Sequence, residues 1–293
     1  MLCKNPFVHG VSGLVFPCGQ CFPCLLKRRK LWSNRIMLES YKHAKNAFVT
    51  LTYSEENEPE GGTLVVADLQ KFYKRLRKKI SPEKIRHYST GEYGENNHRP
   101  HYHAAIFGLG PEDAETIDTA WGLGYTFTGE LTPDSAQYVA GYLTKDICDR
   151  DDPFFEDHLY PFSRMSLRPG IGADAMTDVM DVLTSPAGCD ALSRAADVPD
   201  HLLDGKSKIV LGRYLRGKLR EKLGFPDKKI TPEALALWKE EMSQLRKDAF
   251  AEKGISPQRT GDLQFKYWYA EKNAQKVLQL ETKNKIFSAR KKI

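Results

Sequence analysis

Between residues 46 and 147 the hydrophobic period of the chain switches repeatedly between two and about 3.6, and that order restricts the fold more than any other feature. Ala47-Phe48-Val49-Thr50-Leu51-Thr52-Tyr53 is the β-branched and aromatic run of a central strand. Glu55 to Gly62 is polar and reads as a loop. Over 67–80, Leu69, Phe72, Tyr73, Leu76 and Ile80 form one helical stripe, with the basic residues between Lys74 and Lys79 largely off it. Residues 84–90 and 101–107 read as strands joined by a glycine-bearing turn. Residues 112–121 read as a short helix and 124–128 as a short strand. The clearest helix is 133–147, where Thr132 can cap, Pro133 fits the first turn and Asp134 complements the dipole. Strand, helix, strand, strand, helix, strand, helix predicts an α+β domain with an antiparallel sheet flanked by helices.

Four segments are expected. Residues 1–45 hold a cysteine-rich start and a basic helix, and 46–147 the α+β core. Residues 148–204 form an acidic surface insertion or mobile segment, and 205–293 a basic helical region with helices at 205–224, 231–253 and 262–292. Net charge is +6, but it is uneven: about +7 in the first segment, about −8 in the third and about +12 in the last. Such asymmetry suits a polyanionic partner. Lys27, Arg28, Arg29 and Lys30, Lys74 to Lys79, and Arg213 to Lys222 are natural phosphate contacts. Trp32, Phe72, Tyr73 and Tyr214 lie among them and serve either as core or as base-stacking rings. No apolar run is long enough to span a membrane and no signal-peptide pattern opens the chain, so an intracellular protein is expected.

Three constellations can carry chemistry. His101 and His103 are two apart on a strand and share a face, with Tyr102 turned away and small Ala105 next on the histidine side. If 86–92 pairs with 101–107, Glu92 reaches the same face. Two imidazoles and a carboxylate leave metal positions open, as catalysis needs. His87 is the alternative ligand. Tyr138, Tyr142 and Lys145 line one helical face: two phenols that can act as nucleophiles and an ammonium that can stabilise charge, or else an amphipathic core stripe. Cys18, Cys21 and Cys24, with Cys3 upstream, suit a structural zinc site; an iron–sulfur set and plain thiols are the alternatives. Cys148 and Cys189 stand alone and read as packing residues.

Together the motifs resemble the replication initiators of gokushovirus-type microviruses, within the rolling-circle nucleases that carry a His-hydrophobic-His motif. The resemblance rests on Phe48 to Tyr53, on Gly91-Glu92-Tyr93-Gly94 through Arg99-Pro100-His101-Tyr102-His103, and on Tyr138-Val139 through Tyr142 and Lys145. The cysteine start and basic helix extend it to residue 3. The resemblance implies a ferredoxin- or RRM-like nuclease core of the HUH class. It implies Mg2+ or Mn2+ held by His101, His103 and Glu92, and tyrosine transesterification on single-stranded origin and replicative-form phage DNA, with later religation. Host replication machinery as partner and the host bacterial cytoplasm as location follow from the same likeness. The rival reading is a non-catalytic, zinc-containing DNA-binding protein, in which Tyr138 and Tyr142 have no special role.

Overall fold

The computed structural model describes residues 2–94, 97–145, 152–205 and 207–290, except the side chains of 142–145, 191, 194, 195 and 287–290. The chain forms two compact units. One comprises Met1–Arg28, Pro186–Val198 and Asp227–Ile293; the other comprises Arg29–Ser185 and Pro199–Pro226.

The second unit holds the predicted α+β core. Its elements are α1 (Phe22–Ser40, within this unit from Arg29), β1 (Asn46–Tyr53), α2 (Val66–Lys79), β2 (Arg86–Tyr93), β3 (Pro100–Phe107), α3 (Ala114–Trp121), β4 (Gly124–Glu130), α4 (Pro133–Lys145) and β5 (Phe162–Met165). The strands form one antiparallel sheet in the order β4-β1-β3-β2-β5. Both faces are covered. On one, Ala47, Val49, Leu51, Tyr102, Ala104 and Ile106 meet Leu69, Phe72 and Leu76 of α2 and Ile117 and Trp121 of α3. Burying a ring such as Phe72 contributes about 2–3 kcal/mol. Tyr102 is fully buried here, and its hydroxyl bonds Tyr53 Oη at 2.8 Å and both backbone groups of Val65 at 2.9 Å. Arg75 donates to the carbonyls of Ala120 and Trp121 at 2.6 and 2.7 Å, closing the end of α3, where Gly122 takes a left-handed turn at φ 61°.

On the other face, Ile36 of α1 and Ala136, Val139 and Ala140 of α4 cover Tyr88, Ala105 and Phe107. Thr132 caps α4 as expected, its Oγ1 accepting from the Ser135 amide at 3.2 Å. Ala105, read from sequence as leaving room for a ligand, is instead sealed under these helices.

The acidic stretch 148–204 is more ordered than an insertion reading implies. It supplies β5, the helices Met176–Leu183 and Pro186–Ala195, and the strand His201–Asp204. Ser207–Val210 pairs with that strand, so the helix expected from 205 begins only at Gly212. Glu39 of α1 is fully buried and accepts from Arg86 of β2 and from the Gly172 amide. Burial alone would raise its pKa, but hydrogen bonds from His43, the Gly172 amide and Arg86 outweigh it and hold the carboxylate below its usual range.

In the first unit, Leu14 and Val15 pack with Met242, Ala249, Phe265, Trp268 and Tyr269 from the helices Pro232–Lys253 and Asp262–Arg290. The chain's two ends therefore share one core. Arg246 ties it, bonding Asp262 at 2.6 Å and the Gly13 carbonyl at 3.3 Å. Cys189, expected as a packing residue, is exposed, and Cys148 lies outside the described residues. Among the described residues no helix is long and apolar enough to cross a membrane.

Candidate metal centre and tyrosine helix

Strand register builds the site. Glu92 of β2 lies directly opposite His101 of β3, and His103 lies between Thr90 of β2 and Thr50 of β1. With a side-chain period of two, Glu92, His101 and His103 share the face that α1 and α4 cover in part. His87 falls opposite Ile106 and points to the other side, where it stacks on Tyr73 at 3.7 Å and bonds Ser89. Parity removes it as a ligand. Burial first, then Arg77 and Arg86, push its pKa down to about 3.

The two imidazoles present Nε2 to one carboxylate oxygen. Glu92 Oε1 is 2.7 Å from His101 Nε2 and 3.0 Å from His103 Nε2. The far side of each ring is held: His101 Nδ1 sits 3.0 Å from the Arg99 carbonyl, and His103 Nδ1 sits 2.9 Å from Thr50 Oγ1. A carbonyl only accepts, so Nδ1 of His101 carries the hydrogen and the neutral ring turns a lone pair from Nε2 towards Glu92. Two acceptors that close require positive charge between them, from a proton or a cation. The outer bonds are those that orient metal-bound imidazoles. All three ligand atoms lie within 4.8 Å of one another. Glu92 and His103 are buried and His101 is half-buried, so the donor set fits a divalent ion with coordination positions to spare.

Tyr138 of α4 stands beside this group. Its ring meets the His103 ring edge-on at 5.0 Å and Phe48 at 6.0 Å, yet it is 45% exposed. Ala136, Val139 and Ala140 anchor the helix to the sheet while Tyr138 overhangs the histidines. Tyr142 and Lys145 follow on the same helix, but their side chains lie outside the described residues. Arg29 is half-buried with its Nε on the Gln137 carbonyl at 3.1 Å, one residue from Tyr138. Lys27, Arg28 and Lys30 are exposed.

Residues 46–147, the segment carrying this geometry, match the family model for the replication-associated proteins of the ORF2 and gene II protein type. The chain resembles phage replication-associated proteins. Replication-associated protein VP4 of Bdellovibrio phage phiMH2K is 34% identical over 185 residues, covering 55% of this chain and 58% of that one. Replication-associated protein ORF2 of Spiroplasma virus 4 is 35% identical over 162 residues, 46% of this chain and 49% of its own. Replication-associated protein ORF4 of Chlamydia phage 1 is 30% identical over 171 residues, 49% and 42% respectively. The chain thus spans about half the length of the curated replication-associated proteins it matches. No solved structure gives a significant match. The likeness expected from the motifs is borne out.

The first unit holds the second candidate metal group. Cys3 and Cys24 are buried, Cys18 and Cys21 half-buried. Sulfur separations are 3.4 Å for Cys21–Cys24, 3.8 Å for Cys3–Cys21 and 4.0 Å for Cys18–Cys24. Four thiolates about 2.3 Å from a tetrahedral ion would lie about 3.8 Å apart. Backbone amides point at the sulfurs: Lys4 to Cys21 at 3.4 Å, Cys18 to Cys3 and Cys21 to Cys18 both at 3.3 Å. Burial opposes ionisation of Cys18, but the amides of Gln20 and Cys21 and neighbouring thiols outweigh it and lower its pKa to about 6. Burial pushes Cys24 and Cys3 upward. Four crowded thiols ionise together only around a cation.

The remaining aromatic candidates are packing residues. Phe72 and Tyr73 are buried, Arg35 lies over Trp32 and Tyr214, and the Tyr214 hydroxyl accepts from the Gly170 amide. Sequence reasoning passed over the exposed rings of Tyr125 and Phe127 on β4. Their alternation with Thr126 and Thr128 was the available signal.

Proposed function

We propose that the chain is a rolling-circle replication initiator that nicks and rejoins phage DNA through tyrosine. The observation that carries this is the exposed Tyr138 phenol beside the His103 ring of a three-ligand group. Similarity to three phage replication-associated proteins supports the biological setting. His101, His103 and Glu92 hold Mg2+ or Mn2+, which when bound polarises the scissile phosphate. The phenol of Tyr138 or Tyr142 loses its proton, and its oxygen bonds the phosphorus. The bond from phosphorus to the 3′-oxygen breaks, leaving a 3′-hydroxyl and a 5′-phosphotyrosine. Host polymerase extends the free end. The second tyrosine, one helical turn away, cuts the regenerated origin. The freed 3′-hydroxyl then attacks the first phosphotyrosine and closes a single-stranded circle. Bond energy is conserved, so no nucleotide cofactor is required. Lys145 neutralises phosphate near the helix, and Lys27, Arg28, Arg29 and Lys30 contact the backbone. The four cysteines hold a structural Zn2+. The substrates are the single-stranded origin and replicative-form DNA, inside the host bacterium.

The test incubates the protein with a labelled single-stranded origin oligonucleotide and Mn2+. A denaturation-resistant adduct that disappears in Tyr138→Phe/Tyr142→Phe is expected. An adduct that persists in the double variant rules out these nucleophiles. Binding with no adduct at all favours the non-catalytic DNA-binding reading.

A further inference from the structure

Register turns the metal face into a grid. Tyr125 of β4 lies beside Thr52 of β1, and Thr52 beside His101. Phe127 lies beside Thr50, and Thr50 beside His103. Gly129 lies beside Phe48, and Phe48 beside Ala105. Strand β4 closes the sheet on this side. Tyr125 and Phe127 are 71% and 61% exposed, although they face the same way as the buried metal ligands. Leaving a ring of this size in water forfeits about 2 kcal/mol of burial, so two on one strand face call for an occupant.

The rings also connect to the site. Phe127 meets Phe48 at 6.3 Å, Phe48 stacks on His103 at 5.8 Å, and Tyr138 meets both Phe48 and His103. Gly129 keeps the platform low: a Cβ there would lie 3.2 Å from two ring carbons of Phe127. This face of β4 carries no charge, because Glu130 has the opposite parity. It therefore suits bases rather than phosphates. From Tyr125 to His101 is two strand spacings, roughly 10 Å.

We propose that Tyr125 and Phe127 are a stacking platform for unpaired bases of single-stranded DNA flanking the phosphate at the metal group. The proposal rests on the nucleic-acid reading above and names the form of substrate the site accepts. Base faces are sequence-tolerant partners for aromatic rings, and a duplex keeps them hidden. The platform would make strand opening a condition for productive binding.

The test uses the full chain in EDTA, where no cleavage occurs, and fluorescence anisotropy of a labelled oligo(dT) strand and of a duplex of equal length. Tyr125→Ala/Phe127→Ala should weaken single-strand binding on the order of 10–100-fold while duplex binding changes less than about twofold. Tyr125→Phe should retain binding, since only the ring is used. Phe127→Trp should bind normally and have its emission quenched by the single strand. Equal losses for strand and duplex, or no loss for either, would overturn the platform. A change in oligomeric state with unchanged strand binding would assign the rings to a second copy of the chain instead. Because cleavage is not measured, these outcomes stand whether or not an adduct forms; stacking without an adduct contradicts only the nicking reading.

Discussion

The two candidate metal groups differ in the way structural and catalytic centres differ. The cysteine group uses four soft ligands, two of them buried, with amides aimed at the sulfurs. It fills a tetrahedron and leaves no position for a substrate. The Glu92, His101 and His103 group offers three harder ligands, and beside it stands a 45% exposed phenol. The contrast teaches that this chain separates holding itself together from doing chemistry: one group ties the first unit, and the other sits on the sheet of the second.

The comparison can be broken in order of expected effect. Glu92→Ala should lower Mn2+-dependent adduct formation on the order of 10³-fold while bound zinc, counted by elemental analysis, stays near one per chain. Loss of zinc in that variant would merge the two centres. Cys21→Ala should abolish zinc binding and destabilise the first unit by several kcal/mol, read as a red-shifted emission of Trp268, which is buried beside Phe265. Unchanged emission would make the cysteines plain thiols. Thr50→Val removes the partner of His103 Nδ1 and should weaken Mn2+ binding about 10–100-fold by titration, without changing zinc content. The smallest effect concerns His87. Its folded pKa, about 3, lies below the unfolded value, so the unfolded chain binds the extra proton first. Stability is whole above about pH 6.5 and declines as pH falls towards 3, by up to about 1.4 kcal/mol per pH unit. His87→Gln should flatten that part of the slope in denaturant titrations; an unchanged slope would mean His87 titrates normally.

How much of this was legible depended on range. Strand parity is local, so His101, His103 and Glu92 could be placed on one face, and their register, Glu92 opposite His101, agrees. The same parity decides against His87 once the register is known. Helix α4 was readable because its cap and apolar positions lie within one short stretch. Strand β5 was not: Phe162-Ser163-Arg164-Met165 is four residues of mixed character whose partner is β2, more than 70 positions earlier. Nor does any local pattern reveal that Leu14 and Val15 pack on Phe265 and Trp268. Ala105 was misjudged because its neighbours on α1 and α4 come from elsewhere in the chain. The ends of strands and single helix faces are written in local order; coverage by distant elements is not.

The most direct measurement is mass-spectrometric mapping of the site of attachment after reaction with an origin strand and Mn2+. The account predicts a nucleotide-modified peptide spanning α4, with phosphate on Tyr138 or Tyr142 and none when Glu92 is replaced by Ala. Modification confined to another peptide, or a strand cut with no residue ever modified, would contradict it.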